Sequence, residues 1–153
     1  MMLSWVQLVY RLPREPSTPR IAVWRKLRRL GALQLVDGLV VLPLTDRNTE
    51  QLEWLAQEVV DAGGEASVWR GEPRTRDQAR ELERRARQAA ADEYLGIVAR
   101  TEAAQSAATS DQRTLRSLRA ALREAATRDH FGVAERVQAE RAVEALAATW
   151  THA

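Results

Sequence analysis

Apolar and polar residues alternate along residues 3–12, which places Val6, Leu8 and Tyr10 on one face of a strand and Trp5, Gln7, Val9 and Arg11 on the other. Pro13, Pro16 and Pro19 turn the next stretch into a loop. Thr18 before Pro19 predicts a helix start, a hydroxyl N-cap with proline in the first turn. That helix should run to about Leu30 and stop at Gly31. Two short apolar runs, 33–36 and 39–42, flank Asp37 and Gly38, a pair that favours a tight hairpin turn, and Pro43 ends the second run. Leu52, Leu55, Ala56 and Val59 then recur at helical spacing up to Gly63 and Gly64, and residues 66–70 read as a last strand. The order βαββαβ predicts an α+β domain of ferredoxin-like type, with two helices on one face of a four-stranded antiparallel sheet.

Beyond Pro73 the pattern becomes purely helical. Residues 75–108 predict one long helix or two end to end, with Ser110 and Asp111 as a break and N-cap. Leu115, Leu118 and Leu122 mark a further helix, and a turn over 129–132 leads to a last one carrying Val133, Val137, Val143 and Leu146. The expected architecture is a ferredoxin-like domain over 1–72 and a C-terminal helical region over 73–153, a long helix followed by a helical hairpin.

The first helix divides into two arcs. Ile21, Val23, Trp24, Leu27 and Leu30 form its apolar side, and Arg25, Lys26, Arg28 and Arg29 form its basic side. Trp24, Leu27 and, on the second helix, Trp54 are expected in the core, as is Tyr10 with its hydroxyl at the edge. On the sheet face away from the helices, Trp5, Val9 and Trp69 need a cover. The C-terminal helices, a second subunit or a nucleic-acid base would serve, and protein is the preferred one.

Charge changes the picture more than composition does. The 153 residues carry a net charge of +2, 45% hydrophobic residues and no cysteine. A chain of this kind can bury a core without staples, and it has neither disulfides nor thiol chemistry. No apolar run is long enough to span a bilayer, and the first residues lack the pattern of a signal peptide, so a cytoplasmic protein without membrane contact is expected. The charges themselves are segregated. Arg11, Arg14, Arg20, Arg25, Lys26, Arg28 and Arg29 cluster early, whereas acids predominate over residues 46–61. Guanidinium groups pair with phosphate and other oxyanions, so these seven residues are the candidate nucleic-acid or oxyanion site. A solvated helix face, or pairing with the acidic helix of a second copy in a homodimer, accounts for the same pattern. No phosphate-binding glycine loop, metal-binding His-Glu spacing or nucleophile motif is present. His130 reads as a polar turn residue beside Asp129, and His152 lies next to the terminus. No enzyme activity, cofactor or metal is expected.

Several stretches in order carry a resemblance. Residues 8–20, including Tyr10, Arg11, Leu12, Pro13, Thr18, Pro19 and Arg20, together with residues 23–32, 36–43, 51–56 and 63–70, resemble the start of ChrB proteins, and Asp129, His130 and Phe131 resemble that family's helical junction. The resemblance implies a regulator of bacterial chromate-resistance genes that binds promoter DNA as a dimer and responds to chromate. ChrB proteins continue into a second domain credited with sensing chromate. Thr18, Pro19 and Arg20 with Trp24, Arg25, Leu30 and Gly31 are also similar to the ferredoxin-like part of PaaX-type repressors. Small CRISPR-associated nucleases share that fold but end their first strand in aspartate, where this chain has Tyr10 and Arg11. A dimerisation or protein-interaction module without DNA contact is the alternative.

Overall fold

The computed structural model describes residues 2–107 and 111–150. Strand β1 (Trp5–Arg11) is followed by helix α1 (Thr18–Leu30), strands β2 (Leu33–Val36) and β3 (Leu39–Pro43), helix α2 (Asp46–Asp61) and strand β4 (Glu65–Gly71). Helices α3 (Arg76–Ser106), α4 (Gln112–Arg128) and α5 (Glu135–Trp150) complete the chain. The strands lie in the order β2-β3-β1-β4 and every pair is antiparallel. This is the ferredoxin-like α+β arrangement that the order of elements predicts, followed by helices. Two compact units, Met1–Glu83 and Arg84–Ala153, divide within α3.

Period-two alternation explains the core of the first unit. Val6 and Leu8 of β1 and Val40 and Leu42 of β3 meet Val23 and Leu27 of α1 and Leu52, Leu55 and Val59 of α2. Burying a side chain of this size is worth about 1.5–3 kcal/mol. Helix α2 is well capped: the Thr45 hydroxyl accepts from the Asn48 backbone N–H at 3.0 Å, and the buried Asn48 amide donates to the Pro43 carbonyl at 2.9 Å. Gly31 ends α1 in the left-handed region, with φ 78°.

The hairpin turn comes close to β1. Tyr10 N donates to the Gly38 carbonyl at 2.8 Å. Gly38 has φ 79°, and a Cβ there would sit 2.5 Å from the Tyr10 carbonyl oxygen. Just before the turn, the β2–β3 register shifts between Gln34 and Val36, a bulge that leaves Gln34 exposed at the sheet edge.

Several expectations about side chains and caps are corrected. Ser17, rather than Thr18, is the N-cap of α1, and its hydroxyl makes no capping bond; Pro19, at the start of the helix, has no N–H to satisfy. Trp54 is 69% exposed instead of core, because it stands two positions beyond Leu52, close to the opposite side of α2. Trp24 is 48% exposed, although Val23 beside it and Leu27 one turn on are buried. Ile21 and Val137 are likewise exposed, and Pro43 closes β3 from within, opposite Trp5. On the sheet face away from the helices, Trp5 and Val41 are buried while Val9 and Trp69 remain exposed. Ala108, Ser110 and His152 lie outside the described residues.

In the second unit, Tyr94, Ile97 and Val98 of α3 pack with Leu118 and Ala125 of α4 and Ala139, Val143 and Leu146 of α5. Asp111 caps α4 by accepting from Thr114 N at 2.7 Å. Asp129 organises the α4–α5 junction. Its carboxylate accepts from the backbone N–H groups of Phe131, Gly132 and Val133 at 2.9–3.0 Å and from the buried Tyr94 hydroxyl at 3.3 Å. Beside it, Arg128 binds Glu93. Burial, and next the Asp129 carboxylate, push the Tyr94 hydroxyl up to about 12.

Gly38→Ala should destabilise the first unit by at least about 1–3 kcal/mol in chemical denaturation, since it adds left-handed strain and a backbone clash. Gly71→Ala, where a Cβ meets nothing within 4 Å, should leave stability nearly unchanged. Because the folded Tyr94 pKa lies above the unfolded value near 10, its contribution is intact below pH 10 and is lost as pH rises towards 12. Melts of the Tyr94→Phe protein should lack that part of the alkaline decline.

Candidate nucleic-acid interface and adjoining cleft

Six of the seven basic residues predicted from sequence fall into two groups. Arg25, Lys26, Arg28 and Arg29 are all exposed on α1, with Arg28 and Arg29 in its last turn, where cations complement the helix dipole. Lys26 points towards α2 and pairs with Glu58 at 2.6 Å, so the basic and acidic helices meet within one molecule. Arg28 lies over the Trp24 ring, 4.9 Å from its centroid, a cation–π contact between residues one turn apart. Among the described residues, Arg25 and Arg29 have no ion-pair partner and stand free to meet a polyanion.

Arg11 and Arg20 line a cleft of about 740 Å³ at the C-terminal end of β1. Tyr10 and Leu12 follow from that strand, Ser17, Ile21 and Trp24 from the start of α1, and Gln34, Asp37 and Gly38 from the β2–β3 hairpin. The close approach of Gly38 to Tyr10 sets the position of the hairpin wall. Gln34 Nε2 donates to the Asp37 carboxylate at 3.0 Å. Arg11 makes an exposed contact with Glu65 at 3.4 Å, which contributes little to stability. Burial raises the Tyr10 pKa above its ordinary value, Arg20 opposes the shift and Asp37 adds to it, so the hydroxyl stays protonated through neutral pH. Arg14 is exposed in the loop and is not part of the cleft lining.

The cleft residues Tyr10, Trp24, Gln34 and Asp37 were not in the sequence-derived set. One signal pointed to Trp24: it lies four residues before Arg28 and therefore shares a helix face with it. Gln34 and Asp37 carried no such signal, because a β-bulge and a turn decide where they point. The described residues contain no group of acidic or histidine side chains that could hold a metal ion, and no helix among them is long and apolar enough to cross a membrane.

Comparison with known proteins gives a consistent result. The family model described as Protein ChrB, N-terminal, matches residues 20–152. Protein ChrB of Cupriavidus metallidurans is 35% identical over 83 residues, covering 54% of this chain and 25% of that protein. The match therefore spans about a quarter of the relative's length. No solved structure matches.

The chain has two tyrosines, Tyr10 and Tyr94, so their ionisation can be followed separately in the Tyr94→Phe background. There, Arg20→Ala should move the Tyr10 titration to higher pH, because the cation that opposes the shift is gone. An unchanged or lower titration midpoint would remove Arg20 from the cleft wall.

Proposed function

The chain belongs to the ChrB family, matching its N-terminal domain, and from that premise we propose that it is the DNA-binding module of a chromate-resistance regulator, acting without catalysis of its own. The observation that carries this reading is the exposed basic arc of α1, in which Arg25 and Arg29 lack ion-pair partners among the described residues and Arg28 is engaged only by the Trp24 ring. Guanidinium groups at consecutive helical turns suit a row of phosphate oxygens, and each phosphate neutralised releases condensed counterions. The acidic face of α2 next to it would restrict the orientation in which a duplex approaches, since like charges repel. The fit is to backbone, which positions a protein on DNA; sequence preference would need base contacts elsewhere.

Chromate sensing by this chain alone is not part of the proposal, because the family's resemblance places that role in a second domain. Homodimerisation is proposed only as an accompaniment to DNA binding. A protein-interaction role is the second reading, favoured by the exposure of Trp54 and Trp69 at 69% and 62%, since large aromatic residues anchor interfaces.

A gel-shift assay on the chain's own promoter region, with and without chromate, tests both readings. The Arg25→Ala/Arg28→Ala/Arg29→Ala protein should bind at least about tenfold more weakly, and its log–log salt slope should be shallower by roughly 0.9 per lost phosphate contact. Its thermal melt should match that of the unaltered chain, as none of the three side chains is buried. Unchanged DNA affinity in the triple variant would overturn the proposal and leave the protein-interaction reading.

A further inference from the structure

The cleft beside α1 has a chemistry that a row of phosphates does not explain. Its volume of about 740 Å³ falls in the range of small-molecule sites. A tetrahedral oxyanion would occupy only its cationic part and leave Trp24, Tyr10, Leu12 and Ile21 facing water. The lining joins two aromatic rings, two guanidinium groups and a polar edge within one concave surface.

We propose that this cleft is a nucleotide site, which takes a planar nucleobase against the Trp24 and Tyr10 walls and the attached phosphate at Arg20 and Arg11. Aromatic side chains stack on any base, because every base has a π face. Trp24 is suited to that role: it is half exposed, and the Arg28 guanidinium over its ring holds the indole in place. Arg20 has no ion-pair partner among the described residues, and Arg11 is tied only to an exposed glutamate, so both guanidinium groups can pair with phosphate. At the hairpin, Gln34 donates to one oxygen of the Asp37 carboxylate, and the other oxygen can accept from the rim of a base. The neutral Tyr10 hydroxyl adds a donor. Every one of these groups belongs to the first unit, so the site is complete within it.

The same chemistry is present in a free mononucleotide and in an unpaired nucleotide of a DNA strand, and the two sources can be separated. Calorimetry on the full chain would use the four deoxynucleoside 5′-monophosphates, the corresponding nucleosides, inorganic phosphate and short single-stranded oligonucleotides. Monophosphates should bind saturably, and nucleosides and inorganic phosphate should each bind at least about tenfold more weakly. Oligonucleotides that bind more tightly than monophosphates would assign the site to an unpaired nucleotide; equal binding would assign it to a free one. Arg20→Ala and Trp24→Ala should each weaken binding roughly tenfold. Both positions are exposed, and circular dichroism melts would verify that the fold is retained. Arg25→Ala/Arg29→Ala, altered only on the outer arc, should keep nucleotide affinity within about twofold. That variant separates the cleft from the duplex reading, since it should lose duplex affinity while keeping the nucleotide. No saturable binding of monophosphates or oligonucleotides, equal binding of inorganic phosphate and monophosphates, or unchanged affinity in both cleft variants would overturn the proposal.

Discussion

Strand β1 is hydrogen-bonded along both edges, to β3 on one side and β4 on the other, and the rest of the first unit depends on this two-sided ladder. A strand in that position must serve three surroundings at once. Val6 and Leu8 fill the core under the helices, Trp5 is buried on the opposite face, and towards the end of the strand Val9 and Arg11 are exposed while Tyr10 packs only partly buried at the edge of the core. Because the side-chain period is two, a one-residue slip would exchange these faces and place Gln7 in the core. The ladder therefore sets where Tyr10 and Arg11 emerge, and with them one wall of the cleft. The other wall follows from the Tyr10 N–H, which holds the β2–β3 turn through the Gly38 carbonyl.

The charged residues of α1 contribute little to stability. The Lys26–Glu58 pair is short but partly exposed, and pairs of that kind contribute about 0–1 kcal/mol. Among the described residues the remaining arginines of the arc have no acid to satisfy, and crowding like charges on one helix carries a small electrostatic cost. Placing them beside an acidic helix makes a surface with a direction rather than a uniformly basic patch. Cleft and arc meet at Trp24, which lines the first and is covered by an arginine of the second.

The second unit is organised by a buried polar contact instead of by strand pairing. The Asp129 carboxylate gathers three backbone N–H groups at the start of the α4–α5 connection, and the Tyr94 hydroxyl reaches it from α3. A buried phenol needs a partner, and this one receives it from the residue that shapes the turn. His130, next to Asp129, lies at that connection, where a turn residue was expected.

Local physical chemistry made most of the fold legible in the residues themselves. Alternation in β1, the Asp37–Gly38 turn, the stop at Gly31 and the helical recurrence from Leu52 to Val59 each report on a few neighbouring residues, and together they yielded the order of elements and the basic arc of α1. The fates of Trp24 and Trp54 were decided elsewhere. Helical periodicity says which residues share a side, but the sheet determines how wide a side is buried, and only Val23, Leu27 and the narrow stripe from Asn48 to Val59 fall beneath it. Arg11 and Arg20 were recognisable as candidates because charge is visible in a sequence. Their union with Tyr10, Trp24, Gln34 and Asp37 was not, since those residues come from three elements that only strand pairing and the packing of α1 on the sheet bring together. Sequence alone thus determined the elements, their order and the charge they carry; the tertiary structure decided which aromatic residues stay exposed and which cations share a concave surface, because burial and concavity belong to packed elements and not to any one of them.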